Sequence, residues 1–121
     1  MTGNTNLEDK KIDVVQEKTV TSAVNTGIAG TSAKKKDDIV FLRMQINVRA
    51  SSTGWYDIGT LPSELRPSED LRFTYYDNNQ LDPTKLILEG MLKTTGVLRV
   101  YIFSGLVNKD IVPTGVLTYF T

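Results

Sequence analysis

Between Ile39 and Ala50 the sequence reads IVFLRMQINVRA, and this stretch constrains the fold most. Val40, Leu42, Met44, Ile46 and Val48 alternate with Arg43, Gln45, Asn47 and Arg49. A period of two is that of an extended strand with one face buried and one face wet; a helix would scatter the same residues around its circumference. Ile39 and Phe41 break the alternation on the outer face, which points to cover by another chain or another sheet.

The same signal recurs along the chain. KTVTSAV is rich in Thr and Val, and the following NTGIAGTSAKKKDD reads as a turn-rich, charged loop whose KKKDD is a solvated hairpin end. In DLRFTYYDNN, Leu71, Phe73 and Tyr75 alternate with Arg72, Thr74 and Tyr76, and DNNQLDP supplies a polar turn. KLILEGMLKTTGVLRVYIFSG reads as a hairpin. Leu86, Leu88 and Leu92 flank Gly90 on its inner face, Thr94–Gly96 form the turn, and Leu98, Val100 and Ile102 line the return strand. GVLTYFT closes the chain as a last strand, pinning the terminus into a sheet. Six to eight short strands without a long amphipathic helix predict an all-β domain, an antiparallel β-sandwich or jelly-roll-like head. The domain is assigned to residues 19–121, and residues 1–18 form a polar N-terminal arm for docking or oligomerisation. Outer-face apolar groups at Ile39, Phe41, Ile87, Met91 and Phe103 predict a covered surface and hence a homo-oligomer.

Composition narrows the chemistry. The chain lacks cysteine and histidine, which removes thiolate chemistry, disulfides, the usual general base and the commonest metal ligand. Fourteen basic against fourteen acidic residues give a formal charge of zero, which argues against a nucleic-acid partner and against docking on an anionic membrane. No apolar run reaches the roughly 20 residues of a membrane span. The polar start MTGNTNLEDKK is not a signal peptide, so synthesis in a cytoplasm is expected, with release by another route such as lysis. No Walker-type loop or dinucleotide fingerprint is present. Glu64, Asp70, Asp77, Asp82 and Glu89 are the only candidates for paired-carboxylate chemistry, and most of them fall in turns or on wet strand faces. We expect no enzyme, no cofactor and no metal site; Asp77, Asn78, Asn79 and Asp82 read as an Asx turn rather than a calcium loop.

A saccharide site needs flat aromatic faces for sugar C–H surfaces and planar polar groups for hydroxyls. The densest such set is Tyr75, Tyr76, Asp77, Asn78, Asn79 and Gln80, although a regular strand sends the two tyrosines to opposite faces. Tyr56 with Asp57 is a second candidate and Arg99 with Tyr101 a third. Arg72 is placed to meet phosphate in a wall polymer or to pair with Glu69 or Asp70.

GWYDIGTLPSELRP holds the only tryptophan and two of the four prolines, and a strand is expected to end in its aromatic pair Trp55–Tyr56. Gly54–Trp55, then Leu61–Pro62, then Arg66–Pro67, followed by the hairpin turning at Gly96, resembles the C-terminal head domains of phage tail-fibre and baseplate receptor-binding proteins of phages infecting Gram-positive bacteria. The resemblance covers roughly residues 38–121. It implies a β-sandwich head in the virion, a homotrimer that attaches to host cell-wall saccharide and contacts other virion proteins. It implies architectural roles for Trp55, Pro62, Arg66 and Pro67; for Trp55 a sugar platform is the alternative, and a core Trp55 would lose roughly 3–5 kcal/mol on truncation to Ala. The chain departs from the family in having only about 35 residues before the similar region, so a capsid or tail decoration protein without a glycan site is the rival reading.

Overall fold

The computed structural model describes residues 21–79 and 86–121. The arm at 1–18 and the first residues of KTVTSAV lie outside them, as do Gln80 and Asp82. Eight strands form the described chain: β1 (Ser22–Val24), β2 (Thr31–Lys36), β3 (Ile39–Gln45), β4 (Gly54–Thr60), β5 (Leu71–Asp77), β6 (Ile87–Leu92), β7 (Val97–Ile102) and β8 (Pro113–Phe120). They make one antiparallel sheet in the order β1-β2-β3-β8-β5-β6-β7-β4.

The sheet curls because β5 and β8 share only two paired positions, Tyr76 with Thr114 and Asp77 with Pro113. On either side of that narrow seam the pairing is extensive. The two four-stranded halves fold toward each other over one apolar cluster, which is the sandwich architecture that the alternation predicts. Gly115 sits at the crossing, close to both Tyr75 of one half and Met44 of the other. In the second half β5, β6 and β7 run as consecutive hairpins and β4 returns beside β7, a Greek key.

The long alternation holds past the end of β3. Every second residue from Val40 to Ala50 is buried, because the chain continues extended beyond Gln45 and Val48 bridges Ile111. Leu88 and Leu92 on β6 and Leu98, Val100 and Ile102 on β7 are buried as expected.

Two local expectations are corrected. TSAKKK is strand β2 and not part of a loop; only Asp37 and Asp38 turn, with Asp37 at φ 52. Just one of its residues, Ala33, is buried, so no apolar pattern announces it; pairing with β3 along its whole length makes it a strand. Gly54–Trp55–Tyr56 opens β4 rather than ending a strand. β4 pairs only with β7 and is an edge of the sheet, with a bulge between Asp57 and Gly59.

The proline-bearing connection from β4 to β5 is a packed unit. Pro62 precedes a single 3-10 turn at Ser63–Leu65, and Leu61, Leu65 and Pro67 are buried. Leu61 N–H donates to Gly96 O at 2.8 Å. Gly96 has φ +88, and a Cβ there would meet Leu61 O at 2.6 Å and the Arg66 stem at 3.2 Å. Only glycine lets the β6–β7 turn lie this close to the connection. Pro62, Arg66, Pro67 and Gly96 therefore form one corner. Tyr119 ties this corner to β8 by donating its hydroxyl to Leu65 O at 2.6 Å.

Candidate functional site

Antiparallel pairing brings the outward side chains of β4, β7, β6 and β5 into cross-strand rows. Trp55 stands opposite Tyr101, and Asp57, Arg99, Met91 and Arg72 form the next row. Thr74 pairs with Glu89, and one step along the β6–β7 register places Glu89 beside Tyr101. These residues belong to one wet sheet face.

Trp55 is half-buried and packs its ring edge-on against Tyr101, with centroids 5.4 Å apart and planes at 76°. The Arg72 guanidinium lies 5.9 Å from the indole centroid, a distance at which a cation is attracted to the ring face. Arg99 Nε donates to Asp57 Oδ1 at 2.6 Å. Trp55, Arg72, Phe73, Thr74, Glu89 and Gly90 line a shallow depression of about 220 Å³. The core-role expectation for Trp55 is thereby corrected. An edge strand has no neighbour to cover its outer face, so the indole sits on the sheet instead of in the core.

The Tyr75–Gln80 segment does not come together as a site. Tyr75 is 1% exposed, edge-packed on Phe73 with centroids 4.9 Å apart, and donates its hydroxyl to Arg99 O at 3.3 Å. It belongs to the core and is withdrawn as a ligand contact. Burial pushes its phenol well above the ordinary range. Asp77 is buried as well; its Oδ1 accepts from Asn79 N at 3.1 Å, an Asx turn, and from Val112 N at 2.9 Å. That carboxylate secures the β5 end to the start of β8 and is withdrawn from the ligand set. Asn78 N–H donates to Val112 O at 3.0 Å, and Asn79 Nδ2 donates to Asp110 O at 2.8 Å. Gln80 lies outside the described residues. Among the described residues no group of three or more His, Cys, Asp or Glu side chains is arranged to hold a metal ion.

Tyr76 faces outward, into a separate groove of about 510 Å³ bordered by Ser32, Arg43, Gln45, Thr114 and Val116. The Tyr56–Asp57 pair is split. Tyr56 stands opposite buried Val100 on the inward side of β4, and Asp57 faces out with Arg99. The outer face thus gathers Trp55, Asp57, Arg72, Arg99 and Tyr101, drawn from separate candidates, and adds Thr74 and Glu89. Alternation alone shows that each of these points outward. That β4 lies beside β7 was not visible in the sequence.

The shelf combines a flat apolar ring with two guanidinium donors, two carboxylate acceptors and a hydroxyl, all held on paired strands. Such a surface can stack a sugar ring and exchange hydrogen bonds with its hydroxyls. Among the described residues no helix is long and apolar enough to cross a membrane. No protein-family model matches the chain, and no curated protein matches it in sequence.

Proposed function

We propose that this chain is a bacteriophage virion protein, a non-enzymatic head carried as a homotrimer that attaches to saccharide on the host cell wall. The observation that carries the binding part is the Trp55–Tyr101 shelf, a half-buried indole on the outward sheet face flanked by Arg72, Arg99, Asp57, Glu89 and Thr74. The order Gly54–Trp55, Leu61–Pro62, Arg66–Pro67, Gly96 and its resemblance to phage head domains support the virion part. An open shelf of this size binds weakly, and several copies supply avidity.

Labelled protein, free and on multivalent beads, applied to panels of Gram-positive cells tests this reading. Strain-selective staining that disappears when wall polysaccharide is stripped is expected. Light scattering gives the oligomer; a 13.5 kDa monomer at micromolar concentration overturns the trimer. A second reading is a decoration or assembly protein of the virion. It is favoured by large apolar side chains exposed on the other half of the sheet, Phe41, Val116 and Phe120. Absence of staining in both formats would favour it.

A further inference from the structure

We propose that the outer face of β2, β3 and β8 is a self-association surface that receives a second copy of this chain. This deepens the oligomeric part of the proposed function by naming the surface, and its test needs no host cell.

Strand register builds the face. Lys36, Ile39 and Phe120 form one row, Lys34, Phe41 and Thr118 the next, and Ser32, Arg43 and Val116 a third. Val40, Leu42 and Tyr119, between them in sequence, face the core, so the outward direction of this set is fixed by alternation. Phe120 is 68% exposed, Val116 70% and Phe41 40%. Single exposed apolar side chains are ordinary; adjoining ones on one flat face mark a contact surface.

Charge at the two rims identifies the partner. On the β2 side the apolar strip is bordered by Lys34 and Lys36. On the far side of β8, Ser68 N–H donates to Phe120 O at 3.1 Å, which brings exposed Glu69 to the opposite border, while Asp70 turns away and accepts from Thr94 N at 2.8 Å. A strip with one basic and one acidic rim is complementary to another copy of itself laid rim against rim. A formal charge of zero adds no long-range repulsion between copies. Repeating the contact head to tail closes a ring when the rotation permits, and a trimer is one such ring.

Analytical ultracentrifugation of the full chain tests the surface. The unaltered chain should sediment as an oligomer, and Val116→Lys with Phe120→Lys should run as a folded monomer by circular dichroism. The rims give a second arm that separates assembly from folding. Lys34→Glu and Glu69→Lys should each weaken assembly, and the chain carrying both should recover it. Bead-displayed Val116→Lys/Phe120→Lys protein should stain cells as the unaltered protein does, separating loss of assembly from loss of the shelf. A monomeric unaltered chain, an oligomer indifferent to the two lysines, or a double rim variant no better than the single ones overturns the proposal.

Discussion

At the scale of single residues, Trp55 and Asp77 exchange the roles that their types suggest. A lone tryptophan is commonly a core anchor, yet Trp55 lies half-buried on the outward face of an edge strand, held by Tyr101 and Arg72. Trp55→Ala is therefore expected to lower stability by about 1–2 kcal/mol, the scale of a lost aromatic contact with partial burial. Cell staining should be lost in the same variant. Denaturant melts alongside staining check both, and a loss of stability in the range of a fully buried ring would return Trp55 to the core. Asp77 reads as a solvated turn residue but is buried, with one carboxylate oxygen accepting from two backbone N–H groups. Asp77→Ala leaves those donors without their acceptor, and about 1–3 kcal/mol of destabilisation is expected. Asp77→Asn, which keeps a carbonyl oxygen, should recover part of it in the same urea titration.

At the scale of elements, β5 and β6 show how neighbouring strands share the space on one inner face. A Cβ on Gly90 would come within 2.6 Å of both the Phe73 and Tyr75 rings. Those rings occupy the space that a side chain on the inner face of β6 would fill, so glycine here makes room for aromatics on β5. Gly90→Val is expected to destabilise the domain by about 1–3 kcal/mol through overpacking, measurable as a lower melting temperature. Gly90→Ala should follow in the same direction with a smaller effect. The inner faces of β3, β6 and β7 were legible in the sequence because strict alternation coincides with burial on one side. β2 was not, because a strand whose stability comes from backbone pairing carries no hydrophobic signature: its lysines point to water or along the surface, and Lys35 donates to Glu64 O at 2.7 Å.

At the scale of the whole molecule, two buried phenols set the response to alkali. Burial holds the Tyr75 and Tyr119 protons more tightly in the folded chain than in the unfolded one, where the ordinary value is 10.0. The folded state then binds more protons than the unfolded state above that pH. The stabilisation is complete below pH 10.0 and is lost progressively as pH rises beyond it. Of five tyrosines, these two should yield tyrosinate absorbance only as the fold opens. A single smooth titration of all five in the folded protein would contradict this.

The sequence by itself determined the all-β class and the buried face of the main strands, because both follow from a two-residue period that those strands carry locally. It also determined which chemistries lack their residue types. The tertiary structure alone decided that β4 returns beside β7, that β8 inserts between β3 and β5, and that Trp55, Arg72, Arg99 and Asp57 share one surface. Those juxtapositions join residues as many as 81 positions apart, as Ile39 and Phe120 are. They arise from which strand edges pair when the curled sheet closes over its core, and a local period contains no record of a distant neighbour.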